Sequence, residues 1–373
     1  MNAFPDSDLR PVPCILMRGG TSRGPFFRAA DLPAGEAARD RLLLAAMGSP
    51  DPRQIDGLGG AHPLTSKAGI VSGGIAGEYD LAFLFAQLQP DADTVDTAPN
   101  CGNMLAAVVP FALEAGMLAP RGDTTRARVL TRNTGMLCDI TVPTPGGRLR
   151  YGGDARIDGV PGTAAPIVID FLDTAGSVCS ALLPTGNPRD RLVIDGLAVD
   201  ATLIDNGMPM VLLRATDLGR TGYESVIALN EDASLKATLE ALRLAAGHSM
   251  GLGDASGKSY PKMCLIAAPR DGGTLATRCF IPHVCHAAIG VLAAVTAGTA
   301  CVLRGTVADG IARLQGSGPV HNVSIEHPSG EFTIEIETDP ERPGTIARSA
   351  LVRTARPIMR GEVLVPASAW PQD

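Results

Sequence analysis

The sequence predicts a β-rich α+β protein made of two copies of one unit. Three observations carry that prediction: many short strand-like runs between Gly and Pro turns, few helical segments, and landmarks that recur in one order. Cys101 and Cys285 stand 184 residues apart, Lys67 and Lys262 195, and Gly19 and Asn206 187. The amphipathic runs 37–47 and 235–246 repeat in the same order. At 373 residues with 43 Gly and 29 Pro, the chain is punctuated too often for a helical bundle and is long enough for two separate cores.

The elements follow from local pattern. Residues 13–17 and 24–27 read as strands around the turn Arg18-Gly19-Gly20-Thr21-Ser22, and 37–47 have helical spacing. Lys67 begins a strand through 68–71, and 79–89, 127–130, 136–142 and 167–171 read as further strands. Between them, Asn100-Cys101-Gly102-Asn103 precedes the apolar run 104–113, which predicts a buried helix with a thiol at its mouth. The connector 182–190, rich in Pro, Gly and Asn, marks the boundary: a first domain over 1–185 and a second over 186–345. In the second copy Lys262 begins the strand 263–266, and His283-Val284-Cys285-His286 precedes the small apolar run 287–297, which predicts a second helix opened by a polar cysteine motif.

Composition excludes several classes. Net charge is −7 and aromatic residues are 4%, with no basic stripe, so a nucleic-acid partner is not expected. No apolar run reaches the length that crosses a bilayer, and the first residues lack a cationic stretch leading into an apolar core, so a cytoplasmic protein without a membrane partner is expected. The eight cysteines are scattered and read as reduced thiols, with Cys14, Cys264 and Cys301 as apolar filling. No C-x-x-C or H-E-x-x-H occurs, and the cluster His283, Cys285, His286 lacks carboxylate partners, so no metal is expected.

Several longer motifs narrow the reading. Met17-Arg18-Gly19-Gly20-Thr21-Ser22, the segment 48–57, Leu64-Thr65-Ser66-Lys67, Asn100-Cys101-Gly102-Asn103 and Ile204-Asp205-Asn206-Gly207-Met208-Pro209 together resemble the PrpF-type isomerases, relatives of diaminopimelate epimerase. The resemblance runs from about Pro13 to about Val365. It implies two pseudo-repeated domains of the diaminopimelate epimerase-like fold, each a curled β-sheet around a central helix, with a cleft between them and with 346–373 packing back onto the first domain. It also implies an isomerase that needs no cofactor, with Lys67 and Cys101 as the catalytic proton-transfer groups. Motifs at 182–187, 261–263, 280–283 and 351–356 resemble the branch acting on 4-oxalomesaconate; an aconitate-type acid such as 2-methylaconitate is the alternative substrate.

The chemistry suits those residue types. Moving a proton along a keto-enol or allylic system needs one group to remove it beside a carbonyl and another to return it at a different atom. Lys67 is read as the base and Cys101 as its partner; a resting thiolate-ammonium pair would couple the two and could reverse the roles. The expected partner is a small-molecule tricarboxylate. Gly19, Gly20, Thr21 and Ser22 offer donors in a turn, Asn100, Gly102 and Asn103 surround the thiol, and Ser66 precedes the lysine. Arg18 or Arg278 can clamp a carboxylate, and His283 and His286 are binding candidates at the second predicted helix mouth, facing the first across the cleft. Each also has a plain structural reading: a hairpin turn for Gly19-Gly20, a solvated strand start for Lys67, caps or core hydrogen bonds for the histidines, a surface cation for Arg278. Arg23 stands where the family pattern carries Lys, and the two are not interchangeable. A carboxylate-binding protein without catalysis is the reading from another class, and a homodimer is the default assembly.

Overall fold

The structure, a computed structural model, describes residues 8–370 apart from 99 and 343. It divides into two compact units, one of residues 1–170 with 353–373 and one of residues 171–352; the change-over points lie at 170/171 and 352/353, where the sequence suggested 185/186 and 345/346.

The first unit contains β1 (Leu9–Gly19), β2 (Ser22–Arg28), α1 (Glu36–Met47), β3 (Lys67–Ile75), β4 (Tyr79–Leu88), β5 (Val95–Asp96), α2 (Gly102–Leu105), α3 (Val108–Glu114), β6 (Thr124–Thr131) and β7 (Met136–Pro143), with β8 (Ile167–Phe171) at its end. The second contains β9 (Asp190–Ile194), β10 (Leu197–Asp205), β11 (Pro209–Arg214), α4 (Val226–Glu231), α5 (Ala233–Ser249), β12 (Lys262–Ala267), β13 (Leu275–Phe280), α6 (Val291–Val302), β14 (Val320–His327), β15 (Gly330–Thr338) and β16 (Ile346–Arg353). The last strand, β17 (Ala355–Pro366), returns to the first unit and runs antiparallel to β1 along its whole length.

Strand pairing reveals the duplication. In the first unit β1–β2 is antiparallel, β2–β3 parallel, β3–β4 antiparallel, β4–β6 parallel and β6–β7 antiparallel. The second repeats that alternation in β10–β11, β11–β12, β12–β13, β13–β14 and β14–β15. Lys67 and Lys262 therefore begin equivalent strands. Each parallel pair is joined by a helical crossover, as parallel neighbours require: β2–β3 through α1, β4–β6 through α2 and α3, β11–β12 through α4 and α5, and β13–β14 through α6. This is the α+β architecture the sequence predicted.

Each face of the first sheet is covered. Leu42, Leu43, Ala46 and Met47 of α1 pack with Phe27, Ile70, Leu84 and Leu88 on one side. On the other, Phe26 meets Phe83 and the α3 residue Phe111, with ring centroids 6.2 and 5.7 Å apart. The apolar run 104–113 is buried as expected, but it breaks into two short helices at Ala106–Ala107. Pro110 accounts for the break: it has no N–H to give the carbonyl four residues back, and its ring crowds that carbonyl.

Candidate active site

Alternation along β3 decides where Lys67 points. Lys67, Gly69 and Val71 lie opposite Gln87, Phe85 and Phe83, and these share the face that packs on α3 through Phe26 and Phe111. Lys67 is 8% exposed. Its Nζ donates to Gln87 Oε1 and sits 4.9 Å above the Phe85 ring. Gln87 is itself held by its amide, which donates to the carbonyls of Ser66 and Leu88 at 3.0 and 3.2 Å. The Lys67 nitrogen is thus held by a neutral acceptor and an aromatic face, with no carboxylate paired to it among the described residues.

Cys101 caps α2 in extended conformation, and its carbonyl accepts from Leu105 N at 2.9 Å. The side chain makes no capping hydrogen bond and is half-buried. Glycine brings its surroundings together. A Cβ on Gly24 would stand 1.9 Å from the Lys67 carbonyl oxygen and 3.2 Å from Met104 Cε, so the start of β3 and the helix behind Cys101 close on one point of β2. Gly20, at φ +53°, leaves no room for a side chain against Asn103 Oδ1, 2.1 Å from where its Cβ would be.

Polar groups line the same place. Asn103 Nδ2 donates to Thr21 Oγ1 at 2.9 Å and its Oδ1 accepts from Arg353 Nε at 3.2 Å. Asn100 Nδ2 donates to Thr131 and Thr134 hydroxyls at 3.2 and 2.6 Å, while its buried Oδ1 has no partner. Ser22 Oγ is also buried without a partner. Arg353 is 6% exposed; burial pushes its guanidinium down to about 10, and the Cys101 side chain acts in the opposite sense. Arg353 belongs to the motif at 351–356, but nothing in the sequence marks it as a neighbour of the thiol. An arginine among apolar strand residues was the available signal.

Other predicted residues lie elsewhere or are already engaged. Ser66 Oγ is buried and donates to Gln54 Oε1 at 2.7 Å. Gly102 is the first residue of α2. Arg18 alternates with Met17 and Gly19; the Cβ direction of Gly19 runs into Asn103 O, so Arg18 projects from the face of β1 turned away from α2. Its Nη1 donates to Gly20 O, Thr354 O and Thr354 Oγ1 at 2.8, 3.0 and 3.0 Å.

In the second unit the polar cysteine motif does not open a helix. α6 starts at Val291, capped by Gly290, where the apolar run suggested 287. Upstream, Cys285 bridges to Phe280, the Cys285 N–H donates to Asn230 Oδ1 and the His286 N–H to Cys279 O, at 2.8 and 2.7 Å. Those donors are consumed by tertiary hydrogen bonds, so the segment continues β13 as a turn. Cys285 is buried and its thiol is pushed up to about 11 by that burial. His286 Nδ1 accepts from Ala288 N, exposed His283 lies 3.5 Å from Glu240, and half-buried Arg278 donates to Glu224 O and Thr277 O. Burial lowers the Arg278 guanidinium below its ordinary value. Among the described residues no group of three His, Cys, Asp or Glu is placed to hold a metal ion, and no helix is long and apolar enough to cross a membrane.

Comparison with known proteins gives one consistent answer. The sequence matches the family described as PrpF protein over residues 9–366. It is 53% identical over 359 residues to the 4-oxalomesaconate tautomerase of Pseudomonas putida, covering 96% of this chain and 97% of that one. It is also 53% identical over 360 residues to the (4E)-oxalomesaconate Delta-isomerase of Novosphingobium sp., covering 96% and 99%. Among solved structures, methylitaconate-delta-isomerase superposes with a TM-score of 0.85 at 34% identity, covering 98% of both chains.

Proposed function

Because this chain belongs to the PrpF family and is an isomerase, we propose that it moves a proton within 4-oxalomesaconate, as a keto-enol tautomerisation or a 1,3-allylic shift, using Lys67 and Cys101. In this reaction the base removes a proton from the carbon next to the keto group, leaving electron density delocalised over the conjugated acid. The partner then returns a proton at the other terminus of that system, to oxygen in the tautomerisation or to carbon in the allylic shift. Nothing is oxidised overall, so the pair alone balances the reaction.

Lys67 takes the first role, held by Gln87 on the face that carries α3. Cys101 takes the second, half-buried with its sulfur outside the capping hydrogen bonds. Ser22 Oγ and Asn100 Oδ1, both buried and unpartnered, offer one donor and one acceptor to a substrate carboxylate and hydroxyl. Thr21 and Asn103 hold the Gly turn against α2. The observation that carries the reading is the 53% identity to two proteins named for oxalomesaconate, joined to the convergence of β3 and α2 at Gly24.

A second reading keeps the pair and changes the acid to a methylated aconitate-type substrate; 35% identity to the 2-methyl-aconitate isomerase of Shewanella oneidensis favours it. Incubation with 4-oxalomesaconate and with 2-methylaconitate in deuterated water separates the two. Solvent deuterium is expected in 4-oxalomesaconate at a far higher rate. Preferential labelling of methylaconitate selects the second reading, and labelling of neither removes both.

A further inference from the structure

The face of β1 turned away from α2 carries a row of arginines. Strand register sets Arg18 directly opposite Arg356 of β17 and Arg23 of β2, and opposed residues of antiparallel strands share a face, where like charges repel. Arg18 is positioned rather than free: its Nη1 is braced by Gly20 O and by both oxygens of Thr354. Arg356 is exposed at the rim, and Arg23 Nε is buried without a partner. Arg18 and Arg356 border a cavity of about 270 Å³ whose wall includes Tyr151, Thr163 and Thr354 but no Asp or Glu.

Two other arginine-lined hollows of this unit are different. Arg121, Arg126 and Arg128 share theirs with Asp80 and Asp139, to which they are ion-paired. Arg28 and Arg360 share theirs with Asp31 and Glu114, and are paired to them. With 39 acidic and 32 basic residues in the chain, carboxylates are not scarce; of these three cavities, the Arg18–Arg356 one lacks any. Burial of Arg18 and the charge of Arg356 both lower its guanidinium below the ordinary value, so the pairing costs energy that an anion would recover.

We propose that this cavity is an anion site, separate from Lys67 and Cys101, that holds a small polyanion of carboxylate or phosphate chemistry between the guanidiniums of Arg18 and Arg356. Two planar forks suit bidentate capture of either oxyanion. The volume lies just under the ~300–1,000 Å³ of ordinary ligand sites, which fits a compact anion rather than a nucleotide.

Titration calorimetry tests it with citrate and, separately, inorganic phosphate as probes. The proteins compared are wild type, Arg356→Gln, and a Lys67→Ala/Cys101→Ser double variant, each first checked for a native thermal transition. At least one probe is expected to bind at millimolar concentration or below, to weaken by about tenfold or more in Arg356→Gln, and to bind the double variant unchanged. Tighter citrate assigns a carboxylate ligand and tighter phosphate a phosphate ligand. No binding of either probe, undiminished binding to Arg356→Gln, or binding lost only with Lys67 and Cys101 would overturn the proposal.

Discussion

At the scale of single residues, the site depends on what stands beside Lys67 and Cys101. Lys67 meets the neutral Gln87 amide, and Cys101 has the buried cation of Arg353 within electrostatic reach, itself tied to Asn103. Arg353 also holds Asn103, two residues after Cys101 in α2, so its loss is expected to disturb the setting of the thiol. Arg353→Met is expected to slow alkylation of Cys101 by iodoacetamide, with Arg353→Lys restoring part of the rate. An unchanged alkylation rate in a folded Arg353→Met protein would limit Arg353 to packing. Lys67 and Cys101 stand out as candidates from their motifs, because chemistry and local context coincide in a few consecutive residues. Arg353 was not, since its proximity to residues 101 and 103 is created by a strand 250 positions away in sequence from Asn103.

At the scale of elements, pattern located strands better than it located helix ends. Alternation and Gly turns identified β1 to β4, β6 and β7, while the start of α6 depended on Asn230 and Cys279 taking the N–H groups of Cys285 and His286. No local pattern carries such distant hydrogen bonds. The β6–β7 hairpin supplies a pH-dependent test. Burial raises the carboxyl of Asp139, but hydrogen bonds and charges of Arg128 and Arg126 outweigh it and hold the group below its ordinary value. A carboxylate with a lower pKa folded than unfolded adds stability above its unfolded value, about 3.9, and loses it as pH falls through the folded value. Urea midpoints should therefore show Asp139→Asn less stable than wild type at pH 6, with the gap narrowing below pH 4. A gap independent of pH would mean that the ion pairs contribute nothing.

For the whole molecule, duplication explains both the success and the limit of reading the sequence. The two units repeat one alternation of antiparallel and parallel pairs, and each begins its third core strand with lysine. The equivalence ends at the helix mouths: Cys101 caps α2, whereas Gly290 caps α6 and Cys285 is folded into the turn after β13. Matching cysteine to cysteine was therefore a correct sign of repetition and a misleading guide to equivalent positions. Only the first unit combines the lysine strand with a thiol at its helix mouth, which is why the proton-transfer chemistry is assigned there. The most direct test is the rate of solvent-deuterium uptake into 4-oxalomesaconate by wild type, Lys67→Ala and Cys101→Ser under identical conditions. Each substitution is expected to lower the rate by about 10²–10⁴-fold while the thermal transition is retained; a folded variant that exchanges deuterium at the wild-type rate would contradict the account.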